Sequence, residues 1–298
     1  MNKPLLPALG LVLNALVWGL SWWPFRQLQA QGLHPLWATA AVFAAAWLGL
    51  MVVYPRAWQH LKTHPELFWL MATSGLTNVG FNWAVTTGDV VRVVLLFYLM
   101  PTWALLLAWW LLKERPTRGA LARMGLALAG VVLVLKTPDT PWPIPQDLPD
   151  VLALLAGMCF ALTNILLLRL QHTPDAARMV AMFGGGALMA LACASLATMT
   201  GIVPEMTVTA SEASGWAPWV LGLSVAFLVS NFALQYGAAR LSAHTTAMLM
   251  MSEVVFASVS SVAAGASVLT WRLGLGGGMI VLAALLASQA HTDKTTPD

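Results

Sequence analysis

Charged side chains are scarce in this sequence. The 15 basic and 12 acidic residues make up 9% of the 298 positions, whereas hydrophobic residues make up 59%; a soluble domain carries about 25% charged residues. A soluble protein of this length has to cover its surface with polar groups, and this composition does not supply them. We therefore expect an integral membrane protein that has lipid as its solvent.

Several motifs are also missing. The two cysteines, Cys159 and Cys193, fall in separate apolar segments without CxxC spacing, so neither a disulfide nor a zinc site is indicated. The sequence contains no GxxxxGK[ST] loop, no HExxH and no GxSxG, which argues against ATP hydrolysis, zinc catalysis and a serine nucleophile. Basic residues stand singly between apolar runs and form no face for nucleic acid. We expect no cofactor.

Ten apolar segments have the length of membrane spans. A helix that crosses about 30 Å of hydrocarbon needs about 20 apolar residues. The sequence predicts an all-α integral membrane protein of ten transmembrane helices at approximately 5–24, 34–54, 67–87, 91–112, 118–136, 150–168, 179–200, 216–239, 244–264 and 271–290. The fifth span is the least regular, because Arg118 and Arg123 must extend to the membrane interface.

The distribution of basic residues predicts the orientation. With the N-terminus inside, 11 Lys and Arg residues fall on the inner side and 4 on the outer side, which is the bias of cytoplasmic loops. We expect both termini in the cytoplasm and the protein in the inner (plasma) membrane. The chain then divides into a first repeat at 5–136, a Pro-rich outer linker at 137–149, a second repeat at 150–290 and a cytoplasmic tail at 291–298.

The two halves share a spacing of residues. Gly125 lies 24 positions after Pro101, and Gly277 lies 24 positions after Glu253, so the fourth and fifth spans align with the ninth and tenth at a shift of 152. Five-helix units duplicated in this way must point in opposite directions. The spacing therefore favours two inverted five-helix repeats, an architecture that recurs in transporters.

Four carboxamides occupy corresponding places in the two halves. Asn78 and Asn82 lie one helical turn apart in span three, and Asn231 and Gln235 do so in span eight. Carboxamides inside lipid are costly unless their hydrogen bonds are met, so these side chains should face the bundle interior or a wet cavity. They either line a substrate path or join helices, and their presence in both halves favours the path.

Other residues add polar or aromatic surface. Aromatic walls can stack on planar or cationic ligands, although such a stripe can also serve only to pack helices. The remaining candidates for substrate binding are Asn14, Trp18, Trp22, Tyr98, Trp103, Asn164 and Tyr236.

Glu253 is the one carboxylate well inside a predicted span. Keeping it ionised at mid-membrane would cost about 3 kcal/mol or more, so we expect it to be protonated, hydrogen-bonded or paired with a cation. It is the candidate for proton coupling or cation binding. The alternative is a structural, neutral Glu253 bonded to a neighbouring helix, with Ser252 and Thr245 as local partners.

Three stretches carry a family resemblance. They are VWGLSWWPFRQL in span one, LMPTWALLLAWWLLKERPT from span four into the next loop, and the Gly125–Gly130 pattern that follows. In these features the sequence resembles the drug/metabolite transporter superfamily, and within it the ten-helix exporters with paired EamA domains. It departs from the family where Val42 and Phe43 replace a frequent arginine, and where Glu253 and Ala266 replace the proline and acid of the second half.

The resemblance implies a function. It implies a basket of helices with a central cavity formed by spans one, three, four, six, eight and nine, which exports amino acids or related metabolites. Spans five and ten would be peripheral, which allows a homodimer. Two other classes stay open: an integral membrane enzyme on a lipid-linked substrate, with Glu253 and His244 as acid and base, and a passive channel. Nine residues separate those two side chains, about 13 Å along a helix, which disfavours one shared site.

Overall fold

The computed structural model describes residues 5–113, 116–136, 144–204, 210–241 and 243–292. Within these ranges the chain is helical and contains no strand. The helices are α1 Leu5–Leu20, α2 Trp22–Ala30, α3 Pro35–Val53, α4 His60–Thr63, α5 Glu66–Thr87, α6 Val90–Phe97, α7 Met100–Leu112, α8 Arg118–Leu135, α9 Leu148–Arg169, α10 Asp175–Met199, α11 Ala210–Ala238, α12 Ala243–Met250, α13 Ser252–Ala263 and α14 Trp271–Thr292, with a 3₁₀ turn at Ala57–Gln59. Residues 137–143 of the predicted linker and 293–298 of the predicted tail lie outside the described ranges.

Within the described ranges, seven helical stretches are long and apolar enough to cross a membrane, so the protein is a multi-pass membrane protein. They are Leu5–Ala30, Pro35–Val53, Val90–Leu107, Arg118–Leu135, Leu148–Arg169, Asp175–Met199 and Ala213–Ala238. Two shorter apolar helices, Met248–Ala263 and Trp271–Leu286, and α5 lie where the other three spans are predicted. α5 is less apolar because it contains polar residues, including Ser74, Asn78 and Asn82. These residues are buried inside the protein. Ten crossings stay a prediction.

Two of the predicted spans are interrupted near their middles. α6 ends at Phe97 and α7 begins at Met100, because Pro101 stands in the first turn of α7 and has no N–H to continue the earlier helix. α12 and α13 are separated at Met251. Leu99 precedes α7 and Met251 precedes α13, and these two positions are 152 apart, the shift predicted between the halves.

The helices of the two predicted halves pack against each other reciprocally. α3 contacts α10, α8 contacts α14, α1 contacts α11, and α5 contacts α9. If each span of the first half is exchanged with its counterpart in the second half, the α3–α10 and α8–α14 pairs map onto themselves. The α1–α11 pair then maps onto the α5–α9 pair. This pattern is the one expected of a duplicated unit with twofold pseudosymmetry, although the inverted duplication itself remains a prediction.

The largest apolar cluster surrounds α6. Every residue of this short helix is buried except Arg92, and helices α5, α9 and α13 pack around it. The interruption after α6 is therefore held inside the protein, where Tyr98 and Leu99 are each 3% exposed.

Candidate functional site

The interruptions of the two spans meet through a hydrogen bond. Tyr98 follows α6, and Glu253 stands in the first turn of α13. The Tyr98 hydroxyl donates to Glu253 Oε2 over 2.9 Å and also contacts the carbonyl oxygen of Met250 at 3.3 Å. Both side chains are buried, with exposures of 3% and 7%. Two residues predicted for different roles, substrate binding and coupling, thus form one polar centre.

Two glycines let neighbouring helices press on these interruptions. A Cβ added to Gly19 of α1 would come within 2.9 Å of the carbonyl oxygen of Glu253. A Cβ added to Gly157 of α9 would come within 2.7 Å of the carbonyl oxygen of Phe97. Real Cβ atoms do not approach so closely, so both positions require glycine for this packing. Each interruption is therefore held by the first helix of the opposite predicted half.

A chain of aromatic rings leads to the polar centre. Trp18 stacks on Phe227 with centroids 4.4 Å apart and 16° between the planes, and it meets Phe81 edge-on at 6.4 Å. Phe81 lies 4.8 Å from Phe97, which lies 6.1 Å from Tyr98. The prediction singled out Trp18 and Tyr98 but missed the three phenylalanines between and beside them, because phenylalanine in an apolar span carries no distinctive signal.

The other two tryptophans have different surroundings. Trp22 is 3% exposed and donates its Nε1–H to Ser260 Oγ at 3.0 Å, which joins α2 to α13. The guanidinium of Arg26 lies 5.2 Å from the ring centroid of Trp22. Trp103 is partly buried, and its Nε1 is buried without a hydrogen-bond partner.

Three asparagines differ in what they bond. Asn14 Nδ2 donates to the carbonyl oxygen of Ser230 at 3.0 Å, and this bond joins α1 to α11. Asn78 Nδ2 donates to the carbonyl oxygen of Ser74, one turn earlier in its own helix, at 2.8 Å. Asn82 is 0% exposed, and neither its Nδ2 nor its Oδ1 has a partner. The hydrogen-bonding capacity of its side-chain carboxamide is therefore unused in this conformation.

The carboxamides of the second half lie near the end of α11. Gln235 Nε2 donates to Asn231 Oδ1 at 3.1 Å, so this pair shares one helix face as its spacing indicates. Tyr236 is 38% exposed and lies beneath the guanidinium of Arg240, 3.9 Å from the ring centroid. Asn164 of α9 is exposed.

A cavity of about 320 Å³ lies beside this end of α11. It is formed where α3 ends, α10 begins and α11 ends. The residues that line it include Tyr54, Asp175, Met179, Gln235, Tyr236 and Arg240. Two of the predicted substrate-binding residues, Gln235 and Tyr236, are thus placed in this cavity.

A buried ion pair joins the two predicted halves. Arg92 of α6 donates through Nε and Nη2 to the two carboxylate oxygens of Asp150, at 2.7 and 2.6 Å, and through Nη1 to the carbonyl oxygen of Val134 at 2.8 Å. The Asp150 side chain is 2% exposed. Sequence reasoning missed this pair, although both residues stand at starts of predicted spans. Among the described residues, no group of three or more His, Cys, Asp and Glu could hold a metal ion.

Comparison with known proteins defines the class. Residues 5–136 match the EamA-like transporter family. This segment, which contains α1 to α8, is an EamA-like transporter domain and belongs to the drug/metabolite transporter superfamily, as the sequence resemblance predicted. The family consists of membrane transporters, so the match over residues 5–136 implies a membrane transporter of this type.

Solved structures support the fold. Fifteen solved chains are similar to this one. One of them, described only as a crystal structure of a protein, has a TM-score of 0.55 and 17% sequence identity, covering 97% of this chain and 99% of its own. At that identity the similarity concerns the fold alone. No curated protein sequence matches the chain.

Proposed function

We propose that the protein is a secondary carrier that exports amino acids or related small polar metabolites by alternating access. The observation that carries this proposal is the hydrogen bond between Tyr98 and Glu253, which joins the two interrupted helices across the predicted halves. Interrupted helices at mid-membrane present backbone and side-chain polar groups to solutes, which is how many secondary carriers bind their substrates.

The contact between the interruptions suits a reversible movement. A buried hydrogen bond of this kind contributes about 1–3 kcal/mol when its loss leaves a partner unsatisfied. An energy of that size separates two conformations without preventing their exchange, since minor states a few kcal/mol higher remain populated. Opening one face of the carrier would separate Tyr98 from Glu253, and closing it would restore their bond.

The unused carboxamide of Asn82 supports a polar substrate. A buried group without partners costs about 1–3 kcal/mol, and a solute that supplies both a donor and an acceptor would remove that cost. Asn82 directly follows Phe81, a member of the ring chain that includes Trp18 and Phe97. A small solute with polar and apolar parts, such as an amino acid, has the chemistry that these neighbours require.

We further propose that Glu253 couples transport to protons. A carboxyl group that moves between dry and wet surroundings changes its proton affinity, and Glu253 is buried against Tyr98 in this conformation. Glu253→Gln should therefore transport with a weaker dependence on pH than the unchanged protein. An unaltered pH profile would remove the coupling proposal and leave the carrier proposal intact.

We propose ten spans in two inverted repeats, both termini in the cytoplasm and the inner membrane as the location. The bias of 11 basic residues against 4 supports this orientation. We also propose a homodimer through α8 and α14, because the corresponding spans are peripheral in the family that the sequence resembles.

Transport by reconstituted protein tests the function. Proteoliposomes loaded with each of the common amino acids in turn should accumulate the same labelled amino acid by counterflow, and the rate should saturate with concentration. Flux that rises linearly without saturation would indicate a channel. Absence of counterflow for every amino acid would overturn the substrate class, and chemical conversion of a lipid-linked substrate would favour an enzyme.

A further inference from the structure

The cavity at the end of α11 contains two side chains of opposite charge. Its volume of about 320 Å³ lies at the small end of the range for sites of small organic ligands. Asp175 stands in the first turn of α10, and Arg240 follows α11. Both residues line this cavity, together with Gln235 and Tyr54. The cavity therefore offers a cation, an anion and a neutral polar group to one ligand.

The two charges are held in place by their neighbours. The Arg240 guanidinium lies over the Tyr236 ring at 3.9 Å, and its Nη1 donates to the carbonyl oxygen of Tyr236 at 3.1 Å. Asp175 accepts a hydrogen bond from Arg178, one turn further along α10. A guanidinium stacked on a ring loses less freedom when it binds a carboxylate, because its plane is already oriented.

Apolar surface completes the cavity. The rings of Tyr54 and Phe232, with centroids 6.5 Å apart, line it beside Met179, which is 1% exposed. A ligand with a charged ammonium, a charged carboxylate and an apolar side chain would find a complementary group for each part.

We propose that this cavity is a vestibule that binds zwitterionic amino acids before they enter the carrier. Arg240 pairs with the carboxylate, Asp175 accepts hydrogen bonds from the ammonium, and the Tyr54 and Phe232 rings contact the side chain. The predicted topology places the cavity on the cytoplasmic side, from which an exporter takes up its substrate. This inference rests on the proposed export function and specifies its substrate class.

The two charges predict separate losses of selectivity. The probes are the amino acid with the fastest counterflow, its amide, which lacks the carboxylate, and its N-acetyl derivative, which lacks the ammonium. In the unchanged protein the amino acid should compete with the labelled solute about tenfold better than either derivative. Arg240→Gln should abolish the advantage of the amino acid over its amide and leave the advantage over the N-acetyl derivative. Asp175→Asn should abolish the advantage over the N-acetyl derivative and leave the advantage over the amide.

Matched variants control for charge and folding. Arg169→Gln removes an exposed positive charge at the end of α9, outside the cavity, and should keep the selectivity of the unchanged protein. Arg240→Lys and Asp175→Glu retain the charges and should keep most of the discrimination. Thermal unfolding midpoints close to that of the unchanged protein establish that each variant folds.

The results distinguish the two levels of the proposal. Suppose that the unchanged protein shows counterflow, and that Arg240→Gln and Asp175→Asn prefer the amino acid over its two derivatives as strongly as the unchanged protein does. The vestibule proposal is then wrong and the export proposal stands. The vestibule is equally wrong if Arg240→Lys and Asp175→Glu lose the discrimination together with the neutral variants. If the unchanged protein moves no amino acid, the export proposal fails and the vestibule fails with it.

Discussion

The hydroxyl of Tyr98 and the carboxyl of Glu253 form a hydrogen bond 2.9 Å long, although 155 positions separate them in the chain. One residue follows α6 in the first predicted half, and the other begins α13 in the second. Glu253 is 7% exposed while this bond is in place, so its carboxyl has little contact with solvent in this conformation.

Tyr98→Phe should destabilise the protein by about 1–3 kcal/mol, because it removes the donor and leaves a buried carboxyl with one partner fewer. Thermal unfolding in detergent measures the loss. Glu253→Gln keeps an oxygen that can accept from Tyr98 and should cost less. In a double-mutant cycle Tyr98→Phe is combined with Glu253→Leu, which removes the acceptor, and the two changes should be non-additive; additive effects would mean that the bond contributes nothing to stability.

Gly19→Ala should impair both stability and transport. The added methyl group would come within 2.9 Å of the Glu253 carbonyl oxygen, so α1 and α13 must separate, at a cost of about 1–3 kcal/mol. Gly125→Ala is the matched control, because a Cβ at Gly125 meets no atom within 4 Å. That change should be neutral or stabilising, since alanine favours a helix by about 0.5–1 kcal/mol. Equal unfolding midpoints for the two variants would contradict the close packing.

The sequence predicted apolar helical segments, but it predicted each of the two interrupted spans as one continuous helix and did not pair Tyr98 with Glu253. The shift of 152 came from Pro101 and Glu253, and it reappears in the residues that precede α7 and α13. Hydropathy identifies segments that prefer lipid, and it was predictable because it depends only on residues that are neighbours in the chain.

The contacts between distant residues were not predictable in the same way. Asn14 bonds to a backbone oxygen of Ser230, and backbone groups leave no trace in a residue pattern. Arg92 was assigned to the outer side as a single charge, whereas its partner Asp150 begins a different span. Such pairs depend on how α6 and α9 are oriented about their axes, and a helix of mixed apolar residues does not fix that orientation from its own sequence.

Asp150→Asn should be among the most destabilising single changes in the protein. It leaves the Arg92 guanidinium, whose side chain is 16% exposed, beside a neutral group, and removing one partner of a largely buried pair costs about 3–5 kcal/mol. The control is Arg178→Gln, which breaks a pair whose acid, Asp175, is 68% exposed, and which should cost at most about 1 kcal/mol. Unfolding midpoints that fall equally in the two variants would mean that burial does not strengthen the Arg92–Asp150 pair.

Asn82→Leu should stabilise the protein and reduce transport. The side chain is 0% exposed and neither polar atom has a partner, so an apolar residue of similar size removes a cost of about 1–3 kcal/mol. The matched change Asn14→Leu removes a bond to Ser230 and should lower the unfolding midpoint instead. Counterflow of a labelled amino acid should fall in the Asn82 variant, because the solute loses the carboxamide that we propose it contacts. If Asn82→Leu lowers the midpoint as much as Asn14→Leu, then Asn82 has a structural partner and its assignment to the substrate path is wrong.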